Sequence, residues 1–346
     1  MRLPAVVLVP SLLVLVAVAI TGSESLPGRP LHHIDGGFRN LDPSFQRPGA
    51  WTRWSFIARR MWDSIVSPRT FEAPRVANDG AALRAAPPPR SITWIGHATL
   101  LVQLDGLSVL TDPNWSERAG PTSWIGARRI NAPGLTFEDL PRIDVVTISH
   151  DHYDHLDLPT VKRLAATHDP LFVVPLGMKA WFVDNGMPRV EELDWWQEHE
   201  HRGVRFACTP AQHFSQRSFW DANRRLWASW AVIGRERRFY HGGDTGYFAG
   251  FKEIGRRLGP FDVAALPIGA YLPPVIMKWV HTTPEEAVQA FVDLDARTIL
   301  GMHWGTFDLA DEPLDEPPGR MLAEVQRRGI DTSRAWILKI GETRQW

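Results

Sequence analysis

The stretch over residues 145–157 constrains this chain more than any other part of its sequence. It begins with apolar and β-branched residues, Val-Val-Thr-Ile, which is the composition of a buried strand. It then changes abruptly into a polar run that contains His150, His152, Asp154 and His155. Neutral imidazole and carboxylate are the ligands that zinc and similar first-row metals prefer. An ordinary polar loop has no need for so many ligands after a buried strand, so the stretch predicts a metal site, and its spacing favours two metals.

Three further segments share a pattern in which a predicted strand ends near a histidine or an aspartate. His213, Asp244 and His303 follow such strands. Because loops at strand ends converge while the sheet fixes their positions, we expect these residues to join the loop at His150. Each predicted metal keeps a shared position for water, which is typical of a catalytic site. The predicted ligand sets are His150, His152 and His213 for one metal, Asp154, His155 and His303 for the other, and Asp244 as the bridge.

Composition excludes several other classes of site. The 346 residues can hold one large α/β domain or two smaller ones. The formal net charge of -1 provides no global basic field, so nucleic acid is not expected as a partner. The single cysteine, Cys208, excludes both a disulfide within one chain and a thiolate-rich structural zinc site. The 16 tryptophans have two interpretations, which are core filling and an amphipathic surface at a lipid interface.

The chain before residue 91 is expected to lie outside the catalytic domain. Residues 3–20 are almost uninterruptedly apolar and follow Arg2, which predicts a cleaved signal peptide or a membrane anchor over residues 1–23. The alternative is a buried core helix. We expect an exported or membrane-associated protein of the cell envelope. Residues 24–90 form an extension with a proline-rich linker at its end, and its aromatic and basic segment over residues 51–62 is expected to be a helix on the domain or on the membrane.

The catalytic domain is predicted to span residues 91–346 and to have an α/β architecture. Helices are predicted to begin at Leu158, with proline in the first turn, and after Thr283, where proline and two glutamates follow. A short helix is expected over residues 178–183, and a loop rich in glycine, proline and arginine over residues 114–135. Further strands are predicted over residues 91–95, 99–103, 107–111, 171–175, 204–208, 227–233, 238–241, 261–266 and 298–301.

The polar run resembles a known signature. His150-Asp-His152-Tyr-Asp154-His155 matches the H-x-H-x-D-H motif of the metallo-β-lactamase superfamily. Beyond it, ordered blocks resemble the N-acyl-phosphatidylethanolamine-hydrolysing phospholipase D family over the chain from Ser91 to the end. The blocks are residues 91–99, 193–196, 209–213, 243–247, 266–271, 281–288 and 303–307.

The resemblance implies an αβ/βα sandwich of two mixed sheets flanked by helices. It also implies two zinc ions on the same seven ligands, hydrolysis of a phosphodiester to N-acylethanolamine and phosphatidic acid, and a homodimer. Tyr153 and His281 match residues that contact substrate in the family, and Arg217 falls where the family has basic residues near the phosphate. Without the resemblance, His281 is equally well a neighbour of a helix N-cap, and Arg217 an exposed loop charge.

This chain departs from the family on the substrate side. Val280 replaces the glutamine that precedes the substrate-contacting histidine, and Gln216 with Arg217 replaces a basic pair. The apolar amino-terminal segment is absent from the pattern of the animal enzymes and suggests a bacterial exported relative.

Three hypotheses follow. The first is a dizinc phosphodiesterase acting on N-acylated or other glycerophospholipids at a membrane surface. In it a metal-bridged hydroxide attacks phosphorus, and Asp154 and Asp244 orient the hydroxide. The second is a lactonase or another carbon-ester hydrolase with the same metals. The third is a membrane-anchored zinc-binding protein without enzymatic activity.

Overall fold

Two seven-stranded mixed sheets form the centre of the computed structural model, which describes residues 28–85 and 90–346. With helices on their outer faces, the sheets form the predicted αβ/βα sandwich, so the predicted fold class is confirmed. The predicted signal or anchor and most of the predicted linker lie outside the described residues. The α-helices are α1 Ala50–Val66, α2 Leu158–His168, α3 Lys179–Asp184, α4 Gly250–Leu258, α5 Pro274–Met277, α6 Pro284–Asp293 and α7 Glu316–Arg327.

Eighteen strands lie within residues 28–85 and 90–346. They are β1 His33–Ile34, β2 Gly37–Phe38, β3 Ser91–Gly96, β4 Thr99–Leu104, β5 Leu107–Thr111, β6 Arg118–Thr122, β7 Ile125–Arg128, β8 Val145–Thr147, β9 Leu171–Pro175, β10 Val190–Leu193, β11 Glu198–His201, β12 Val204–Thr209, β13 Ser229–Ile233, β14 Arg238–His241, β15 Phe261–Pro267, β16 Ala296–Met302, β17 Ala335–Trp336 and β18 Thr343–Gln345. The first sheet has the order β10-β9-β8-β5-β4-β3-β18, and the second has the order β11-β12-β13-β14-β15-β16-β17. The pairs β1-β2 and β6-β7 form two small separate sheets.

Strand β9 shows why the first sheet is buried on both faces. Its side chains alternate: Leu171 and Val173 pack in the core between the sheets, whereas Phe172 and Val174 pack in the outer core cluster. That outer cluster includes residues of α2 and α3. Because successive residues of a strand point to opposite faces, a strand covered on both sides has a continuous apolar sequence. On the second sheet, α6 packs against β15 and β16, and α4 and α7 pack against α6.

The strands that precede the predicted ligands share one direction within each sheet. In the first sheet β5 and β8 are parallel, and β3 has their direction because β3 and β5 are both antiparallel to β4. In the second sheet β12 and β14 are both antiparallel to β13, and β14, β15 and β16 are parallel. The carboxyl ends of these strands therefore lie at one edge of each sheet, where the loops that follow them can meet.

Residues 114–135 are not a simple loop, so that prediction is wrong in part. They contain the hairpin β6–β7, which the sequence does not reveal because its exposed strands lack apolar alternation. The two strands approach closely where Gly120 faces the main chain of Ile125 and Gly126, and a Cβ atom at Gly120 would overlap that main chain. Strands β10 and β11 and helices α4 and α7 are further elements that the sequence analysis did not predict.

Helix α1 lies against the catalytic domain through its basic residues. Arg60, together with Arg69 beyond the helix end, pairs with Asp308, and Arg59 lies 2.6 Å from Asp311. No residue of α1 is buried. Within residues 28–85 and 90–346, no helix has the length and apolarity needed to cross a bilayer.

Buried tryptophans confirm core filling for part of the set, whereas a lipid interface for the exposed ones stays a prediction. One group is buried in the core, and another is exposed on α1 and on the loops beside it. The buried group includes Trp94, Trp195, Trp227, Trp230 and Trp304, and the exposed group includes Trp51, Trp54, Trp62, Trp124 and Trp220.

We predict that Trp230→Phe lowers the free energy of unfolding by about 1–3 kcal/mol. The indole Nε1 of this fully buried residue donates a hydrogen bond of 2.8 Å across the core to the carbonyl of Ile148, which precedes the metal loop. Phenylalanine leaves that buried carbonyl unpaired, which accounts for the expected loss. Denaturant titration measures it, with Trp124→Phe on the exposed hairpin as the control. Equal stability of the two variants would contradict the role assigned to this hydrogen bond.

Candidate metal centre

The predicted ligands meet at the carboxyl ends of strands from both sheets. The loop after β8 carries His150, His152, Asp154 and His155, and it turns back on itself where His155 and Leu156 donate main-chain hydrogen bonds to the carbonyl of His152. The other ligands follow strands of the second sheet: His213 after β12, Asp244 after β14 and His303 after β16.

The first cluster consists of three imidazoles and one carboxylate. The Nε2 atom of His150 lies 2.8 Å from Nδ1 of His152, and Nε2 of His213 lies 3.2 Å from that same Nδ1. Oδ2 of Asp244 lies 3.9 Å from Nε2 of His150 and 3.8 Å from Nε2 of His213. Four ligand atoms thus surround one small volume.

The second cluster shares Asp244 with the first. Nε2 of His155 lies 3.1 Å from Oδ2 of Asp244 and 3.4 Å from Oδ2 of Asp154. Nε2 of His303 lies 3.0 Å from Oδ1 of Asp244 and 3.7 Å from Oδ2 of Asp154. Asp244 therefore presents its two oxygens between the clusters, as expected of a bridging ligand.

Hydrogen bonds behind the imidazoles determine which ring nitrogen carries the proton. Nδ1 of His213 lies 2.8 Å from the carbonyl of Val280, and Nδ1 of His155 lies 2.8 Å from Oδ2 of Asp112. The carbonyl and the carboxylate can only accept hydrogen bonds, so the Nδ1 atoms of both histidines are donors. In the neutral form of each ring, the lone pair is then on Nε2, which faces the centre. The Ser149 hydroxyl donates to Asp112 and can accept from Nδ1 of His150, which gives His150 the same tautomer.

The unpaired atoms of the centre fit a metal. Among the described residues, Nε2 of His155, Nε2 of His303 and Oδ1 of Asp244 are buried without a hydrogen-bond partner, although His303 and Asp244 approach to 3.0 Å. Buried polar atoms are normally paired, so such a concentration of unpaired atoms needs an explanation. Imidazole nitrogens and carboxylate oxygens converging on two points suit zinc and other first-row metal ions.

The charges of the metal-free centre are strongly coupled. Burial disfavours the imidazolium of His303, but Asp244 and Asp154 outweigh this and raise its pKa to about 9. The pKa of His155 is likewise raised well above its usual value, because Asp244, Asp154 and Asp112 outweigh its burial. Although burial alone would raise the pKa of Asp244, His155 and His303 hold it well below the usual range. In the metal-free centre the carboxylates therefore favour the charged forms of His155 and His303.

The three predicted substrate residues border the centre in different ways. Nδ1 of His281 lies 3.9 Å from Oδ2 of Asp244 and has no hydrogen-bond partner within the described part of the chain. The Tyr153 hydroxyl donates to the carbonyl of Arg217 at 2.7 Å. The Arg217 guanidinium packs on the Tyr153 ring and donates to carbonyls of the metal loop, so it supports that loop from behind. Contact of all three with substrate stays a prediction.

Two residues of the centre were missed by the sequence analysis. Nε2 of His97 donates to Oδ2 of Asp154 at 2.9 Å, and Asp112 holds the metal loop as described above. Burial lowers the pKa of His97 to about 3, so this ring is a neutral donor. His97 follows strand β3 and Asp112 follows strand β5, and the carboxyl ends of these strands lie at the same sheet edge as that of β8. The pattern of polar residues at strand ends could therefore have identified both.

Comparisons with known proteins identify the superfamily of this chain. Residues 108–304 match the family described as Beta-lactamase superfamily domain. The chain is 42% identical over 307 residues to an uncharacterized protein of Mycobacterium tuberculosis, covering 85% of this chain and 80% of that protein. It is 46% identical over 244 residues to N-acyl-phosphatidylethanolamine-hydrolyzing phospholipase D 1 of Caenorhabditis elegans, covering 67% and 68% of the two chains.

A solved structure supports the fold alone. The isothiocyanate hydrolase from Delia radicum gut bacteria superimposes with a TM-score of 0.60 at 20% identity, over 74% of this chain and 99% of that one.

We predict that zinc binding to the metal-free protein at pH 7.5 releases about two protons, from His155 and His303. Their raised pKa values keep both rings charged at this pH, whereas a metal ligand must be neutral. Calorimetric titration in two buffers of different ionisation enthalpy measures the release. An apparent heat that does not depend on the buffer would contradict the prediction.

The same shifts predict how the stability of the metal-free protein depends on pH. A histidine whose pKa is raised by folding contributes its full stabilisation at pH values below the unfolded-state pKa of about 6.5. This contribution is lost once the pH exceeds the folded-state pKa. The metal-free protein is therefore expected to lose stability between pH 6.5 and about 9, where His303 loses its proton. Thermal unfolding of chelator-treated protein at the two pH values tests this, with the zinc-loaded protein as the control.

Proposed function

Because the chain belongs to the metallo-β-lactamase superfamily and is a metal-dependent hydrolase, we propose that it is a dizinc phosphodiesterase of the phospholipase D type. It hydrolyses N-acyl-phosphatidylethanolamine or a related glycerophospholipid to N-acylethanolamine and phosphatidic acid. In this reaction water adds its oxygen to phosphorus, and its proton goes to the departing N-acylethanolamine oxygen.

The observation that carries the proposal is the pair of buried clusters that share Asp244. Bound there, two zinc ions would lower the pKa of a water molecule and neutralise the charge of a phosphodiester. The chain's own residues orient this chemistry. Asp244 faces both clusters, and Asp154 is held by the Nε2–H of His97 with its carboxylate beside His155 and His303. These two carboxylates are proposed to bind metal and to orient the attacking water.

The substrate class is supported by relatives and by the surroundings of the centre. The relatives named N-acyl-phosphatidylethanolamine-hydrolyzing phospholipase D from Caenorhabditis elegans and from yeast are 46% and 36% identical to this chain. His281, Tyr153 and Arg217 are the proposed substrate contacts. Among them, Nδ1 of His281 lies beside Asp244 without a partner in the described part of the chain, and in the tautomer that carries its proton there it can donate to a phosphodiester oxygen.

A lipid substrate is further supported by an apolar surface, here called the α1 face. It consists of Trp51, Trp54, Met61, Trp62 and Ile65, which are exposed along one side of α1. Trp54 contacts Phe219 at a ring distance of 5.7 Å, and Phe219 belongs to the loop that follows His213. Helices with tryptophan on one face and arginine on the other are typical of the membrane interface. We therefore propose a membrane surface as the partner and an exported or membrane-associated location; a homodimer stays a prediction.

The first test offers N-acyl-phosphatidylethanolamine in mixed micelles to purified protein of known metal content. Release of N-acylethanolamine is expected, and Asp154→Asn is expected to lower it at least a hundredfold. Loss of groups behind metal ligands already costs about 10–100-fold in affinity or activity, and Asp154 is a proposed ligand. Asp315→Asn, the same change at an exposed position, is expected to retain full activity.

Other outcomes would redirect the proposal. A protein that carries two zinc ions but releases no N-acylethanolamine contradicts the proposed substrate, and a panel of lactones then tests the carbon-ester alternative. Zinc binding without turnover of either class would favour a non-enzymatic zinc-binding protein.

A second test concerns the membrane. The double variant Trp51→Ser/Trp62→Ser is expected to bind phospholipid vesicles at least about tenfold more weakly, because burying each apolar side chain contributes on the order of 1.5–3 kcal/mol. Hydrolysis of a dispersed short-chain substrate is expected to be unchanged. Val292→Ser, at an exposed position of α6, is the control in vesicle sedimentation. Equal sedimentation of the double variant and the native protein would exclude the α1 face as the membrane contact.

A further inference from the structure

We infer that residues 32–47, here called the N-terminal strap, support the metal centre, and that Asn40 is the positioning residue for His213. The strap precedes the region that matches the superfamily domain, residues 108–304. The inference rests on the metal centre of the proposed function but does not depend on the substrate.

Asn40 pairs with the main chain of His213 as a neighbouring strand would. Its Nδ2 donates to the His213 carbonyl at 2.7 Å, and its Oδ1 accepts from the His213 amide at 3.1 Å. The same Oδ1 accepts from the Nε1 of buried Trp227 at 3.2 Å. One side chain thereby uses both of its polar groups to fix the backbone of one metal ligand.

His213 needs such a partner because it lies beyond the end of its strand. Strand β12 ends at Thr209. Among the described residues, the main-chain amide and carbonyl of His213 form hydrogen bonds only with the Asn40 side chain. The imidazole is fixed separately, by the Nδ1 bond to the Val280 carbonyl. Backbone and ring are therefore both held, and Nε2 is aimed at His150 and His152 by two independent restraints.

Other contacts of the strap extend along the loop that follows His213. The Arg47 guanidinium lies 4.9 Å from the centre of the Phe214 ring and donates to Gln216 at 3.2 Å. At the β1–β2 hairpin, the Phe38 amide donates to the carbonyl of Asn223 at 2.8 Å. The strap thus contacts the loop near both of its ends as well as at the ligand.

The amino-terminal end of the strap is anchored by a third histidine and aspartate cluster. Nε2 of His32 and Nε2 of His33 each lie against one oxygen of Asp194, at 2.6 and 2.7 Å. These are distances of charge-assisted hydrogen bonds, and among the described residues these ring nitrogens and carboxylate oxygens are paired with one another, whereas several atoms of the metal centre are left without a partner. The cluster is therefore a clamp, and the His32 ring also stacks on Trp195 at 4.3 Å.

The clamp and Asn40 are connected through buried tryptophans. Trp195 donates through Nε1 to the carbonyl of Trp227, and Trp227 donates through its own Nε1 to Asn40. A continuous series of contacts therefore links Asp194, which follows β10 in the first sheet, to His213, which follows β12 in the second sheet. Its contribution is to position His213 before the metal arrives.

The test measures metal affinity in the full chain. Metal-free protein is titrated with zinc in competition with a chromophoric chelator, which yields stepwise dissociation constants. Asn40→Ala is expected to weaken one step by about 10–100-fold, the usual effect of removing a group behind a metal ligand. Asn40→Asp keeps the acceptor but sets a carboxylate oxygen against the His213 carbonyl in place of the donor, so a weaker zinc step is expected here too.

The matched control is Asn78→Ala. Asn78 also precedes the catalytic domain and also donates to a main-chain carbonyl, that of Gly341, at 2.8 Å. Its loss is expected to leave both dissociation constants unchanged. Thermal unfolding of metal-free and zinc-loaded protein separates positioning from stability: a merely structural Asn40 lowers both unfolding temperatures equally, whereas a positioning Asn40 lowers mainly the increase that zinc produces.

Two results would overturn the inference. One is an Asn40→Ala protein with the zinc affinities of the native chain. If that variant does not fold, native affinities in Asn40→Asp overturn it equally. Failure of the native protein to hydrolyse a phosphodiester, with zinc still bound, contradicts the proposed substrate and leaves the role of Asn40 intact, so the two failures are distinguishable.

Discussion

The buried carboxylate of Asp112 is the group on which the metal loop depends. Its Oδ1 accepts from the Ser149 amide at 2.6 Å, and its Oδ2 accepts from the Ser149 hydroxyl and from Nδ1 of His155. Through these bonds it selects the tautomers of His150 and His155 that aim lone pairs at the centre. An isolated buried carboxylate is costly, and the charge on His155, or a metal bound beyond it, compensates.

The sequence predicted the bounds of continuously buried strands best, whereas it missed α4 and α7, which bury only one face. Strands over residues 107–111 and 171–175 have the bounds that their largely apolar sequences predicted, because these strands are packed on both faces. The hairpin β6–β7 was missed because it is exposed and packs no core face. Local sequence patterns report the burial of a segment, and a segment without burial leaves no such pattern.

A residue of the site could be predicted where the sequence around it carried a recognisable motif or an apolar strand. Four proposed ligands lie within six residues of one another, and the other three follow apolar strands. Asp112 also follows a strand, but a single aspartate before proline is typical of any turn. Asn40 has no local signal, since its partner His213 lies 173 residues along the chain and the pairing exists only after folding.

The metal-free centre explains why so many restraints surround the ligands. Five imidazoles and two carboxylates lie within a few ångströms of one another, and without metal their lone pairs and charges face each other. In the first cluster, where neutral imidazoles meet without a charged partner of their own, this favours structures that separate His150, His152 and His213. The first sheet holds its loop through Asp112, and the second sheet holds His303 through β16. His213 lies four residues beyond the end of β12, so the sheet alone cannot hold it, and the strap is what opposes its displacement.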